Sequence, residues 1–228
     1  MKSSLLNMVL VLFGITAVAA FLVGVVNNIT KDTIAQTEQK NKDLAKLEVL
    51  PAFEGEAELR DTVRRIGDFE INVTTVKANG VLVGYAVEAP SITRNGYADR
   101  INLMVGFVEK NDTTVINGIK VLKQSETPGL GANMTKAGNS LERSAVGKEP
   151  KTLAFAVSKE GGSFDALTGS TISSRAYANA VETAYAGYLW AKGELPSAED
   201  AMSGATKPNE EQTTNVEPEA QKGEQSNE

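Results

Sequence analysis

Residues 3–30 contain no charged side chain, and this run constrains the fold more than any other feature of the chain. Lys2 and Lys31 flank the run, and fifteen of the 25 residues from 5 to 29 are Leu, Ile, Val or Phe. Such residues insert favourably into a bilayer, and about 20 helical residues are enough to cross its hydrocarbon core. We therefore expect residues 1–30 to form a single transmembrane anchor.

A cleaved signal peptide is the alternative interpretation of this run, because Ala17-Val18-Ala19 resembles a small-residue cleavage site. The apolar sequence continues through residues 21–26, beyond that site, and this favours a retained anchor. Lys and Arg are nearly balanced on the two sides of the run. The positive-inside rule therefore predicts no orientation for the anchor.

The chain of 228 residues contains no cysteine and no histidine. Disulfides are impossible, and the residues that usually bind iron–sulfur clusters, haem and zinc, or that activate a serine nucleophile, are missing. We predict no metal site, so any redox chemistry must come from an organic cofactor. The net charge of −6 argues against a nucleic-acid partner, which would need clustered Lys and Arg.

Three further regions are predicted after the anchor. Residues 31–51 form a helical stalk, with leucines at helical spacing before Pro51. Residues 52–195 form the folded domain. Residues 196–228 have almost no large apolar side chain, so we predict a disordered tail. This tail is acidic, since residues 203–228 contain six glutamates and two lysines.

The domain contains patterns typical of β-hairpins followed by a helix. The predicted elements are strands over residues 71–78, 81–88, 101–109, 113–122 and 152–157, and a long helix over residues 172–191. Asn79-Gly80 is the strongest short signal for a hairpin turn, and Gly118 indicates a bulge. Because the strands pair as hairpins and precede the last helix, we predict an α+β fold rather than a parallel sheet.

The first of two glycine-containing motifs spans residues 125–131, with the sequence Ser-Glu-Thr-Pro-Gly-Leu-Gly. Pro128 fixes its own φ angle, while Gly129 and Gly131 allow positive φ and the close approach of a flat ring. An ordinary turn after a strand is the alternative interpretation.

The second motif spans residues 165–171, with the sequence Asp-Ala-Leu-Thr-Gly-Ser-Thr, directly before the long helix. It places the Thr171 hydroxyl at a helix N-terminus, where the free N–H groups of residues 172–174 and the helix dipole favour a phosphate. Arg175 lies one turn further on the same helix face, where it can form a charge-assisted hydrogen bond to that phosphate. The alternatives are a helix capped by Thr168 or Ser170 and a solvent-exposed arginine.

These motifs, the anchor and the continuation Ile172-Ser173-Ser174-Arg175-Ala176 resemble the G subunits of Rnf ion-translocating electron-transport complexes. That FMN-binding family is related to the C subunits of the sodium-pumping NADH:quinone oxidoreductases. The resemblance covers roughly residues 1–192 and not the tail. In the family, FMN is esterified to the last threonine of a pattern close to D-x-x-[ST]-G-[AS]-T, which here is Thr171. Ser170 stands where alanine is usual, and both residues are small.

The resemblance implies a flavin pocket made by both motifs. Its implied residues are Thr171 as the covalent phosphoester, Thr168, Gly169, Ser170 and Arg175 around it, and Glu126, Thr127, Gly129, Leu130 and Gly131 near the isoalloxazine or the ribityl chain. Gly169 and Ser170 leave room for a modifying enzyme to reach the hydroxyl. Asp165 is expected to guide that enzyme rather than to touch the flavin. No residue resembles an acid–base catalyst for a soluble substrate.

The resemblance also implies a location and a function. The domain would lie on the periplasmic side of a bacterial inner membrane, with covalent FMN attached by a separate flavin transferase. The chain would relay electrons, together with other membrane and iron–sulfur subunits, in a complex that couples ferredoxin oxidation and NAD reduction to Na⁺ or H⁺ transport. The alternatives are the related quinone-reductase protein, a flavin-binding sensor or assembly protein, and a structural subunit without flavin.

Overall fold

The computed structural model describes residues 2–66, 68–93 and 100–194. The predicted tail over residues 196–228 lies outside these described residues. The main elements in chain order are α1 (Lys2–Glu48), β1 (Ala57–Ile66), β2 (Phe69–Ala78), β3 (Val81–Pro90), β4 (Ile101–Lys110), β5 (Thr113–Gln124), α2 (Ser140–Ala145) and α3 (Thr171–Lys192).

Helix α1 contains both the predicted anchor and the predicted stalk. It continues without a break from Lys2 to Glu48, two residues short of the stalk helix end expected at Leu50. Every side chain from residue 5 to residue 29 is exposed, and this apolar part is long enough to cross a membrane. Such an uncovered apolar surface is stable in lipid and not in water, which supports membrane anchoring.

The five strands form one antiparallel sheet in the order β1-β2-β3-β4-β5, so the predicted α+β fold is confirmed. The predicted hairpin turn at Asn79-Gly80 joins β2 to β3, with Asn79 at φ 51°. The predicted bulge is also present. Gly118 pairs with Gly106 and Ile116 pairs with Phe107, which leaves Asn117 as the extra residue of β5.

Strand β1 was not predicted from the sequence. It pairs along its whole length with β2, with Ala57 opposite Ala78 and Ile66 opposite Phe69. It lies at the edge of the sheet, and Leu59 and Val63 are exposed. An edge strand with little burial on either face does not need alternating apolar residues, so its sequence lacks the usual strand pattern.

The predicted strand over residues 152–157 is wrong. A short 3₁₀ helix spans Pro150–Thr152, and the rest is irregular except for one isolated bridge between Val157 and Phe164. Leu153 and Phe155 nevertheless pack against the core. The free edge of β5 is bonded to a different segment at Ile116. Ile116 N donates to Lys148 O at 3.0 Å, and Gly147 N donates to Ile116 O at 2.8 Å.

Each face of the sheet covers its own apolar core. On one face, α3 contributes Ala176, Tyr177, Ala180, Val181 and Tyr188, which pack on Ile71, Val87, Leu103 and Phe107 of the sheet. On the other face, Ala45 of α1 and the two residues that follow the helix, Val49 and Leu50, pack on Val76, Ala86 and Met104. Successive residues of a strand point to opposite faces, so β4 serves both cores.

Glu182 of α3 is expected to make stability depend on pH. Burial raises the pKa of this carboxyl to about 7, against an opposing hydrogen bond from Asn179 Nδ2 at 3.4 Å. The folded state then binds the proton more tightly than the unfolded state, so stability falls as pH rises from about 4.5 to about 7. We expect Glu182→Gln to remove about 1–3 kcal/mol of that loss, after allowance for solvent screening. Urea denaturation of the unchanged chain and of Glu182→Gln at about pH 5 and pH 8 measures this difference. An equal loss of stability between the two pH values in both chains would contradict the role given to Glu182.

Candidate functional site

Residues 165–171 form an open turn that leads into α3. Gly169 has φ 73°, which favours glycine, and Ser170 follows at the N-cap position. The Ser170 side chain is buried and makes no capping hydrogen bond within the described chain. Thr171 is the first helical residue and is half-buried, whereas Thr168 and Gly169 are exposed. The alternative of a helix capped by the Ser170 side chain is therefore not what the structure has.

The N-terminus of α3 keeps unpaired backbone donors. The first N–H groups of a helix have no acceptor within the helix itself. Ser174 N donates to Ser170 O at 3.0 Å, so the expectation that residue 174 offers a free N–H is wrong. The donors left for an anion are those of residues 172 and 173. The first turn, which the structure describes in full, contains no acidic residue that would repel an anion.

The first motif follows β5 and contacts the first turn of α3, directly after the second motif. Ser173 Oγ donates to Glu126 Oε2 at 2.6 Å and thereby joins the loop to the first turn of α3. A Cβ on Gly131 would lie 2.6 Å from Glu126 Oε2 and 2.8 Å from Ser173 Oγ, so a side chain there would displace the groups that form this bond. Leu130 N and Ala132 N both donate to Thr127 O, at 3.1 and 3.3 Å, and this fixes the loop.

An open cleft of about 630 Å³ lies where the two motifs meet. A Cβ on Gly169 would lie 3.3 Å from Leu130 Cδ2, which shows how closely the loops approach. The cleft is lined by Gly129, Leu130, Asn133, Lys136, Ala137, Gly138, Asn139, Ser140, Arg143, Ala166, Leu167 and Thr168. Leu130 lines the cleft and remains 45% exposed, an apolar surface suited to a flat ring.

Lys136, Arg143 and Ser173 belong to this region but were not predicted from the sequence. Lys136 lines the cleft from the segment before α2, and Arg143 lines it from α2 itself. They favour an anionic ligand by charge. Their positions depend on how the chain folds between residues 132 and 143, and no short motif marks that segment. Ser173 belongs to the continuation that follows the second motif, but its bond to Glu126 spans 47 residues and has no local signal.

Arg175 has a different partner from the one predicted. Its Nε donates to Glu160 Oε1 at 2.7 Å, and a second guanidinium nitrogen contacts the same oxygen. The hydrogen bond to Glu160 raises the pKa of Arg175. Both side chains are exposed, so a phosphate on Thr171 would have to compete with this ion pair for the guanidinium.

Asp165 is tied to the segments beside it. Ser158 Oγ donates to its Oδ1 at 2.7 Å, Ser140 Oγ donates to its carbonyl oxygen at 2.8 Å, and Asp165 N donates to Ser144 Oγ at 2.9 Å. The residue is exposed and holds the start of the turn against α2. Asp165 is not among the residues that line the cleft.

Glu126 provides a test of whether a polar ligand fits. Its Oε2 accepts from Ser173, whereas its Oε1 is buried and has no hydrogen-bond partner among the described residues. A buried carboxylate oxygen without a partner costs about 1–3 kcal/mol or more. FMN carries donors that could satisfy it, namely the ribityl hydroxyls and the ring N–H. The residues present therefore fit this cofactor.

Replacing Ser173 with alanine is expected to destabilise the protein by about 1–3 kcal/mol, because Glu126 would then have both carboxylate oxygens unpaired. We also expect slower incorporation of flavin, since the loop and the start of α3 would no longer be joined. Thermal denaturation and the initial rate of flavin incorporation measure the two effects. Ser125→Ala, at an exposed neighbouring serine, is the matched control. Equal results for both variants would contradict the role given to this bond.

Comparison with known proteins gives a consistent result. A model of the FMN-binding domain matches residues 96–186, and a model of the RnfG N-terminal region matches residues 1–47. The chain is 34% identical over 182 residues to the G subunit of the Na⁺-translocating ferredoxin:NAD⁺ oxidoreductase complex of Acetobacterium woodii, covering 75% of this chain and 86% of the relative.

Two further relatives are each named as the G subunit of an ion-translocating oxidoreductase complex. The relative from Aliivibrio fischeri strain MJ11 is 31% identical over 86% of this chain and 93% of its own length. The relative from Escherichia coli O157:H7 is 32% identical over 72% of this chain and 81% of its own length. The chain therefore belongs to the RnfG family, the G subunits of ion-translocating oxidoreductase complexes.

Proposed function

We propose that this chain carries FMN in a phosphoester bond to Thr171 and serves as an electron-transfer subunit of an Rnf-type ion-translocating ferredoxin:NAD oxidoreductase complex. The match of residues 96–186 to the FMN-binding domain supports the cofactor. The observation that carries the attachment site is the position of Thr171 as the first residue of α3, where the N-cap side chain makes no capping bond, three residues after Thr168 of the cleft lining.

The described residues support specific roles toward this cofactor. The N–H groups of residues 172 and 173 and the helix dipole hold the phosphate. Lys136 and Arg143 line the cleft, and their positive charges balance the negative charge of the phosphate. Glu126 Oε1 accepts a hydrogen bond from the ribityl chain or the ring, and Leu130 packs against the ring.

The remaining residues of the two motifs shape the site. Thr127 O fixes the first loop, and Gly129 and Gly131 bring its backbone close to the ring. Thr168, Gly169 and Ser170 keep the turn before Thr171 small and open.

FMN supplies one- and two-electron chemistry when it is bound, which this chain's own side chains lack. The polypeptide binds the cofactor and holds it in position between partners. Those partners are other membrane and iron–sulfur subunits of the complex, consistent with the names of the matched relatives. The chain alone is not expected to turn over a soluble substrate.

Maturation and location complete the proposal. A separate flavin transferase attaches the FMN, and the exposed Asp165 belongs to the surface that it reads. The anchor is retained, crosses the bacterial inner membrane once, and leaves the domain on the periplasmic side. There a covalent bond prevents loss of a cofactor that cannot be replaced from the cytoplasm.

Purification of the full chain after co-expression with a flavin transferase tests the cofactor assignment. We expect a yellow protein whose band fluoresces in a denaturing gel, because only a covalent flavin survives denaturation. A colourless protein without a fluorescent band would contradict the assignment. A yellow protein without a fluorescent band would contradict covalent attachment alone.

A further inference from the structure

The two residues that directly follow α1, Val49 and Leu50, pack on three glycines of the sheet. We call these three residues, Gly84, Gly106 and Gly118, the glycine seat, and we call residues 45–50 the helix end. A Cβ on Gly106 would lie 2.7 Å from the carbonyl carbon of Val49, and a Cβ on Gly118 would lie 3.1 Å from Val49 Cα. A Cβ on Gly84 would lie 2.8 Å from Leu50 Cδ2. Gly106 and Gly118 are opposite each other in the β4–β5 pair. The backbone of the helix end is thus in direct contact with the backbone of the sheet.

Hydrogen bonds fix the direction of the helix end on this seat. Asn117 Nδ2, on the extra residue of the bulge, donates to Val49 O at 3.0 Å. Lys120 of β5 pairs with Glu48 at 2.8 Å. The bulge thus contributes to this packing, because its extra residue, Asn117, directs a side-chain donor toward the Val49 carbonyl, which has no acceptor role within the helix.

Two ion pairs hold α1 further back along its length. Lys46 is buried and pairs with Asp61 of β1 at 3.1 Å, and Thr74 Oγ1 donates to the same carboxylate at 2.5 Å. Lys42 pairs at 2.7 Å with the buried Glu88 of β3. The side-chain amides of β2 and β4 at positions 72 and 102 donate to Glu88 as well. Contacts to β1, β3 and β5 thus restrain rotation of the helix in both directions.

We propose that α1 and the sheet form one rigid body, so that the anchor holds the domain at a fixed height and angle above the membrane. Helix α1 has no break between its apolar part and the seat, and no loop separates them. The domain would act as a fixed relay rather than as a carrier that swings between partners. The contacts between α1 and the sheet do not involve the flavin. The rigid-body proposal can therefore be confirmed or contradicted independently of the proposed function.

The seat also determines which end of the sheet points back along α1 toward the membrane. Lys42, which precedes Val49 by seven residues and lies nearer the anchor, contacts Glu88 close to the end of β3. Strand β5 ends on that same side of the sheet, because Ile101 at the start of β4 pairs with Gln124. Residues 125–131 follow at once. The candidate site therefore begins on the membrane-directed end of the domain.

Distance measurements between two spin labels on the full-length chain in lipid nanodiscs test the proposal. Because the chain has no cysteine, Glu38→Cys and Lys77→Cys place the only two labels, at exposed positions on α1 and β2. We expect a single narrow distance distribution. A broad or multiple distribution in this otherwise unchanged chain would overturn the proposal.

Variants at the seat extend this test. Gly106→Val places a side chain against the Val49 backbone and is expected to abolish the narrow distribution. Gly24→Val makes the same change in the anchor, where no described heavy atom lies within 4 Å, and should preserve it. If Gly106→Val does not fold, Asn117→Ala removes the bond to Val49 without adding volume and is expected to broaden the distribution. A narrow, unchanged distribution in a folded seat variant would overturn the role of the seat.

Discussion

Replacing Thr171 with valine is expected to abolish ferredoxin-driven NAD reduction in membrane vesicles that depend on this subunit. Valine has nearly the shape of threonine but lacks the oxygen to which FMN would be esterified. Helix α3 should still form, because its interior is stabilised by buried residues such as Ala176 and Tyr177. We expect the NAD-reduction rate to fall to that of vesicles lacking the chain. Thr62→Val, at an exposed threonine of the edge strand β1 and outside both motifs, is the control and should retain the rate.

The outcome separates the proposed relay from its alternatives. An unchanged rate in Thr171→Val, with the complex still assembled, would favour a flavin-binding sensor or assembly protein. A loss of rate accompanied by loss of the other subunits from the membrane would favour a structural role. Only loss of rate in an assembled complex agrees with electron flow through the flavin.

Replacing Tyr188 with alanine is expected to reduce the free energy of unfolding by about 3–5 kcal/mol. The ring is only 1% exposed and stacks on Phe107 with a centroid separation of 4.9 Å. It also meets the edge of Tyr85 at 5.2 Å. Removing it leaves a cavity in the core between α3 and the sheet. Urea denaturation followed by the fluorescence of Trp190, the chain's single tryptophan, measures the loss.

Tyr188→Phe is the matched control, because it keeps the ring and removes only the hydroxyl. That hydroxyl lies 2.8 Å from Thr114 Oγ1 and donates to Glu109 Oε1 at 3.2 Å. Glu109 keeps its ion pair with Lys192, so we expect a loss of only about 1 kcal/mol. Equal losses for the two variants would show that the hydroxyl, and not ring packing, stabilises this core.

Much of the fold could be predicted because the deciding signals are local. Asn79-Gly80 favours one turn type, and the apolar stripe of α3 repeats at helical spacing. Strand β1 was missed because its position at the sheet edge requires little burial. Residues 152–157 were assigned wrongly because their alternating apolar side chains fill the core without pairing as a strand. Whether such a segment forms a strand depends on its pairing with distant segments, and a local sequence pattern carries no information about that pairing.

The candidate site was predictable where a short motif carries the chemistry. Residues 125–131 and 165–171 carry these motifs, and the structure brings them together, with Gly169 against Leu130. The bond from Ser173 to Glu126 joins the first loop to the start of α3. The partner of Arg175 was not predictable, because Glu160 is 15 residues away, in a single 3₁₀ turn over Ser158–Glu160. The contribution of Lys136 likewise depends on the folded path of the chain.

The most direct test of the central claim is peptide mass spectrometry of the mature chain, with Thr171→Val analysed in parallel. We predict that the peptide containing Thr171 gains the mass of FMN minus water, that fragmentation places this gain on Thr171, and that the valine variant shows no gain. An unmodified Thr171 in fully matured protein, or a flavin that persists elsewhere in the variant, would contradict the claim.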